Sequence, residues 1–125
     1  MSTQYQLFLE SWSDAVIATD YDAIMDCYAE NAVLVPTLSS EKRQTRASRL
    51  DYFQGFAVKV KGAHWYWEDA AVQRLSDTLI LSGEYDFILL DESISKARFS
   101  FVLEEEDDSY KILHHHSSLL PDLLS

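Results

Sequence analysis

A single cysteine, Cys27, stands in the chain, so no intrachain disulfide can form and no cysteine-based zinc pattern exists. A lone thiol fits a reducing compartment. Basic residues are scarce: ten Lys and Arg stand against 21 Asp and Glu, a formal net charge of -11. They form no long run, which argues against nucleic acid and an anionic membrane surface as partners. Also missing is any apolar run of membrane-spanning length. Polar Ser2, Thr3 and Gln4 stand where a secretory signal would carry a charged and then an apolar region. A cytoplasmic protein is therefore expected. No internal repeat, linker or low-complexity stretch divides the 125 residues, a length that suits one domain over 1–125.

What is present is globular. Hydrophobic residues make up 47% of the chain, with three Trp, seven Tyr and six Phe. Tyr5, Phe8, Leu9, Trp12 and Val16 recur at helical spacing, which predicts a helix over about 4–18 with a Thr3/Gln6 capping box. Its aromatic stripe needs a sheet to cover it. Asp20 caps a shorter second helix whose buried side is Tyr21, Ile24, Met25 and Tyr28, stopped at Asn31. Cys27 falls within it as a small core side chain. Ala32 to Val35 reads as a strand ended by Pro36, which favours an edge or a terminus. Thr45 caps a third helix with Leu50, Phe53 and Ala57 inward, weakened by Gly55 near its end.

Beyond Gly62 the pattern is of strands, roughly 64–75, 79–90, 94–105 and 110–118, joined by turns too short for parallel crossovers. Three helices, a short strand and a four-stranded antiparallel meander make an α+β order. Trp65, Tyr66 and Trp67 invite ligand stacking, but at strand alternation they read better as core or interface aromatics. The last strand carries His114, His115 and His116, too close to a following apolar run to be a tag. Period-two alternation puts His114 and His116 with Tyr110 and Ile112, and His115 with Lys111 and Leu113 on the other face.

Tight turns would set Asp86 opposite Arg98 and Glu84 opposite Ser100, then Arg98 opposite His116 and Ser100 opposite His114. One sheet face would then carry two acids, an arginine, a serine and two histidines. The other would hold Tyr85, Phe87, Phe99, Phe101 and Leu103. The polar face reads as a solvated surface, as a subunit interface, or as a site where a carboxylate and an imidazole do acid–base work. A metal held by His114, His116 and Asp86 or Glu84 is a weaker reading, since a His pair two apart is common without metal. No metal or other cofactor is expected. Ser117 and Ser118 lack the glycine-framed elbow of a nucleophile.

The stretches Tyr110–Pro121, Asn31–Ser39, Asp51-Tyr52-Phe53, Gly83–Phe87 and Arg98–Val102 together resemble the calcium/calmodulin-dependent protein kinase II association, or hub, domain family, especially its stand-alone microbial members. The resemblance implies an NTF2-like cone, with three N-terminal helices packed in a curved antiparallel sheet. It also implies assembly as dimers that can close into rings, here as a hub-like domain on its own. That superfamily, which includes SnoaL-like and ketosteroid-isomerase-like enzymes, hosts binding and catalytic members alike. Kinase hubs line their pocket with several arginines, whereas here Arg98 alone lies well inside a strand.

The expectation is a domain that associates with itself through its sheet, apolar surfaces pairing between subunits, with a pocket able to hold a small ligand. Its candidate ligand-binding residues are Trp12, Glu84, Asp86, Arg98, Ser100, His114 and His116. The alternative is an isomerase, hydrolase or cyclase acting on a small hydrophobic molecule, with Asp86, His114 and His116 as catalytic candidates.

Overall fold

The computed structural model describes residues 2–37 and 39–121. Helix α1 spans Gln4–Ile17, α2 Tyr21–Asp26 and α3 Arg46–Phe56; strands are β1 Tyr28–Val35, β2 Val60–Trp65, β3 Ala71–Leu75, β4 Thr78–Leu89, β5 Ile94–Glu106 and β6 Ser109–Leu119. The sheet order is β1-β6-β5-β4-β2, with β3 also on β4, and β1 runs parallel to β6 while every other pair is antiparallel. Among the described residues no helix is long and apolar enough to cross a membrane.

The capping box of α1 forms as the sequence predicts, Thr3 and Gln6 each bonding the other's backbone N–H. The helix buries Leu9, Trp12 and Val16 in the concave side of the sheet. Trp12 lies there among Trp65, Tyr85, Phe87 and Phe101, with ring centroids 5.7–6.4 Å away. Two indoles tie the helix down: Trp65 Nε1 donates to Ser13 Oγ at 3.1 Å and Trp67 Nε1 to Glu10 Oε2 at 2.9 Å. The Trp65 and Trp67 rings also stack on each other, so these aromatics serve the core.

Three element boundaries differ from the sequence reading. The second helix stops at Asp26, and Tyr28 opens β1 rather than closing the helix. The cause is the edge of β6, where Ile112 N–H donates to Cys27 O at 2.7 Å and offers a ladder that another helical turn would forfeit. Cys27 accordingly caps the helix. The stretch expected as one strand over 64–75 is two: β2 begins at Val60 and ends at Trp65, and β3 starts at Ala71. Trp65 faces Tyr85 and Ala71 faces Ser82, so residues 66–70 loop out across Glu84 and Gly83 alone. Gly83 is needed at that point, because a Cβ there would stand 2.9 Å from Phe99 Cζ and 3.3 Å from Ala70 Cβ.

The cross-strand pairs differ too. Glu84 faces Arg98, Asp86 faces Lys96, Arg98 faces Ser118 and Ser100 faces His116. The β4–β5 ladder has moved two residues from the expected register, as has the stretch of β5–β6 up to Val102, so Glu84, Asp86, Arg98, Ser100, His114 and His116 keep a common face. The turns explain the shift. Glu92 takes a left-handed φ of 73° after β4, and Asp107 and Asp108 form a two-residue turn with φ of 42° and 66°, the primed geometry that closes hairpins tightly. A bulge opposite Val102 and Leu103 then breaks the alternation of β6. As a result Tyr110 and Ile112 are buried together with His115 and Ser117, not on the side of His114 and His116 as strict alternation requires.

Candidate functional site

Between the helices and the concave side of the sheet lies a cavity of about 510 Å³, within the range of small-molecule sites. Apolar walls come from Trp12, Leu34, Phe53, Phe56, Phe87 and Ala97, and Arg43, Asp51 and Lys59 stand among the polar lining residues. Arg43 Nη1 donates to Asp51 Oδ2 at 3.0 Å and to Ser48 O at 3.2 Å. Beside it the Tyr52 phenol is pushed up to about 12 by burial, partly opposed by the Arg43 charge, so it stays a neutral hydroxyl.

One end of the cavity is polar in a different way. Thr37, His115 and Ser117 line it, and behind them runs a chain of buried hydrogen bonds. Tyr28 Oη and His115 Nδ1 are 3.0 Å apart, as are Tyr85 Oη and His115 Nε2. The Tyr85 hydroxyl reaches Ser117 Oγ at 2.7 Å, and Thr37 Oγ1 reaches the same oxygen at 2.8 Å. Tyr28, Tyr85 and His115 are each less than 5% exposed. Phe101 stacks on the imidazole with centroids 4.0 Å apart, and Trp12 meets it edge-on at 5.3 Å.

Burial drives the His115 pKa down to about 3, with the charges of His114 and His116 adding to the effect. At neutral pH it is therefore a neutral imidazole with both nitrogens engaged. Burial likewise holds the Tyr28 and Tyr85 phenols well above their ordinary range, against a smaller opposing effect of the Ser117 hydrogen bond on Tyr85. Within neutral pH the whole chain is uncharged. Among the described residues lining the cavity, Asp51 is the one acid, and it is paired at Arg43.

Of the residues named from sequence, Trp12 lines this cavity. The others stand on the convex face. Glu84, Arg98, Ser100 and His116 meet there around a shallow depression with Asp69, Ser82 and Ser118. Asp86 lies apart from it, accepting from the Tyr66 hydroxyl at 2.6 Å and from Lys96 Nζ at 3.5 Å. His114, opposite Val102, is also outside the depression. Among the described residues no three His, Cys, Asp or Glu side chains converge as metal ligands.

Sequence reasoning did not single out Tyr28, Thr37, Tyr85, His115 or Ser117 as a group. Their signal is faint: two phenols at positions that read as ordinary core, and an inward histidine whose phase depends on a bulge. Arg43 sits in a polar loop, where no periodicity marks it.

A SnoaL-like domain family model matches residues 6–122. No curated protein matches the chain. Among solved structures, one from Xanthomonas campestris described as a calcium/calmodulin-dependent protein kinase II association domain is 28% identical over 92% of this chain and 84% of its own, with a TM-score of 0.75. A Streptomyces avermitilis structure described as an NTF2-like dehydratase has a TM-score of 0.78 at 13% identity, covering 95% and 96% of the two chains. One from Parabacteroides distasonis described as a ketosteroid isomerase has a TM-score of 0.71 at 18% identity, covering 92% and 87%. The fold is the NTF2-like α+β cone that the sequence resemblance implies.

Proposed function

Because the chain belongs to the SnoaL-like domain family, whose fold houses ligand pockets and assembly modules alike, we propose that it is a small-molecule-binding association domain. The cone cavity is the binding site, and a second copy of the chain pairs with the convex face of the sheet. The observation that supports binding is the union of apolar walls with the buried Tyr28–His115–Tyr85–Ser117 chain, which delivers an oriented polar group to one end of the cavity. A neutral imidazole pinned on both sides, with no carboxylate among its hydrogen-bond partners in the described residues, favours holding a ligand over acid–base turnover. Trp12 lines the cavity, so a bound aromatic or alicyclic ligand should quench its fluorescence in a saturable way. Ala97→Trp, which fills the cavity from β5, should abolish that saturation. Failure of every member of a panel of small ring compounds to give it in the unaltered protein would overturn the binding reading.

Self-association has its own support. Glu84 and Arg98 face each other on the convex side, and a patch carrying both charges is complementary to itself under a two-fold axis.

A further inference from the structure

We infer that the cavity selects ligands bringing a hydrogen-bond acceptor, such as a ring ketone or lactone carbonyl, to Ser117 and Thr37, because the buried chain behind them is polarised in one direction. This rests on the cavity being the binding site. A neutral imidazole carries one N–H, so the two phenol contacts of His115 must run opposite ways: one phenol donates to it and the other accepts from it.

Two polarities are possible, and their far ends differ. In the first, Tyr28 donates to Nδ1, Nε2–H donates to Tyr85, and Tyr85 donates to Ser117. Ser117 and Thr37 then share two hydroxyl protons, of which one is used between them at 2.8 Å and the other is left for the cavity. In the second, Ser117 donates to Tyr85, Tyr85 to Nε2, and Nδ1–H to Tyr28. The serine and threonine then have no proton to spare, and the cavity is offered an acceptor.

The head of the chain decides between them. In the second polarity the Tyr28 proton would need an acceptor, yet His115 Nδ1 is the phenol's one hydrogen-bond partner among the described residues. Two of its polar neighbours are a cation and a donor. The Arg49 guanidinium lies over its ring, 5.7 Å from the centroid. The Trp12 indole N–H is buried without a hydrogen bond of ordinary length, yet near enough to favour the ionised phenol, which places a donor beside the Tyr28 oxygen. The first polarity lets that oxygen accept while its proton goes to Nδ1. The second buries an unpaired O–H beside an unpaired N–H, which is costly.

The tautomer can be read without any ligand. In protein labelled with 15N at histidine, long-range proton–nitrogen correlations at pH 7, assigned with His114→Gln and His116→Gln, should show His115 protonated at Nε2. Protonation at Nδ1 would overturn the inference. The ligand arm compares 1-tetralone, tetralin and 1-aminotetralin by Trp12 quenching. The ketone should bind about tenfold more tightly than the hydrocarbon, the ammonium should bind more weakly than either, and Thr37→Val with Ser117→Ala should erase the ketone's advantage. Equal affinity of ketone and hydrocarbon would sink the acceptor rule while leaving the cavity reading intact. No binding of any of the three, with the Nε2–H tautomer present, would instead count against the cavity and take the ligand class with it.

Discussion

Tyr28 and His115 meet across the sheet's one parallel strand pair, phenol oxygen to Nδ1 at 3.0 Å. The contact exists because β1 leaves α2 one turn early and because the bulge in β6 turns His115 inward. It fixes a neutral imidazole in the core, and that has a consequence for pH. The unfolded chain's histidine titrates near 6.5, while burial lowers the folded value to about 3. Between these values the unfolded chain binds a proton that the folded chain refuses. Stability from this group is complete above 6.5 and falls as pH drops toward 3, by about 1.4 kcal/mol for each pH unit. Urea midpoints measured from pH 7 to 4.5 should decline more steeply in the unaltered protein than in His115→Gln. Parallel slopes would mean that the imidazole is protonated without unfolding.

Removing either phenol oxygen strands a buried partner. Tyr28→Phe leaves Nδ1 without its partner, and Tyr85→Phe leaves Nε2 without its partner and takes one of two from Ser117 Oγ, which keeps Thr37, so each should destabilise by about 1–3 kcal/mol, with Tyr85→Phe the larger. Because one polarised chain connects them, the double variant should lose less than the two singles combined. A cycle of urea denaturation curves measures this. Strict additivity would show that the two bonds act independently of one another.

Much of the architecture is legible from the order of residues, and the reasons are local. Thr3 with Gln6, Asp20 and Thr45 announce helix starts because their side chains satisfy helix N–H groups wherever the helix packs. Tyr85, Phe87, Phe99 and Phe101 betray the inner face because alternation survives any even slip in register. The site is less legible because it depends on odd events. The bulge by Val102 moves His115 and Ser117 into the phase of Tyr110 and Ile112, and neither residue type advertises burial. The turn at Asp107 and Asp108 has left-handed backbone without the glycine that usually marks it. Arg49 is 1% exposed, yet no motif around it announces a buried cation.

The convex face supplies a test of assembly. Glu84 and Arg98 are exposed and adjacent, so reversing one charge should cost the isolated subunit little. In a two-fold pairing it should cost a great deal, since like charges would meet twice. Arg98→Glu should therefore shift sedimentation toward a monomer, and Glu84→Arg combined with Arg98→Glu should restore the dimer. A monomer at every concentration of the unaltered protein would remove self-association through this face. An Arg98→Glu protein that still pairs would move the interface elsewhere.

Arg49 carries a charge into the core and, among the described residues, meets backbone carbonyls and no carboxylate. Its Nη1 donates to Ala32 O at 2.7 Å and its Nη2 to Ala29 O and Glu30 O at 3.2 and 3.3 Å. Those carbonyls lie where β1 departs from regular pairing, between Tyr28 and Val33, so the guanidinium stands in for ladder donors that the sheet cannot supply there. Arg49→Leu should cost about 3 kcal/mol, because the buried Ala32 carbonyl and two part-buried ones lose charged donors at once. Arg49→Lys should recover less than half of that, since an ammonium has the charge but not the planar fork that spans three carbonyls. The segment also carries Tyr28 toward His115, so in Arg49→Leu the pH slope of stability should flatten toward that of His115→Gln. If the urea midpoint of Arg49→Leu matched the unaltered protein, water would have to be satisfying those carbonyls, and the kink in β1 would hold without its cation.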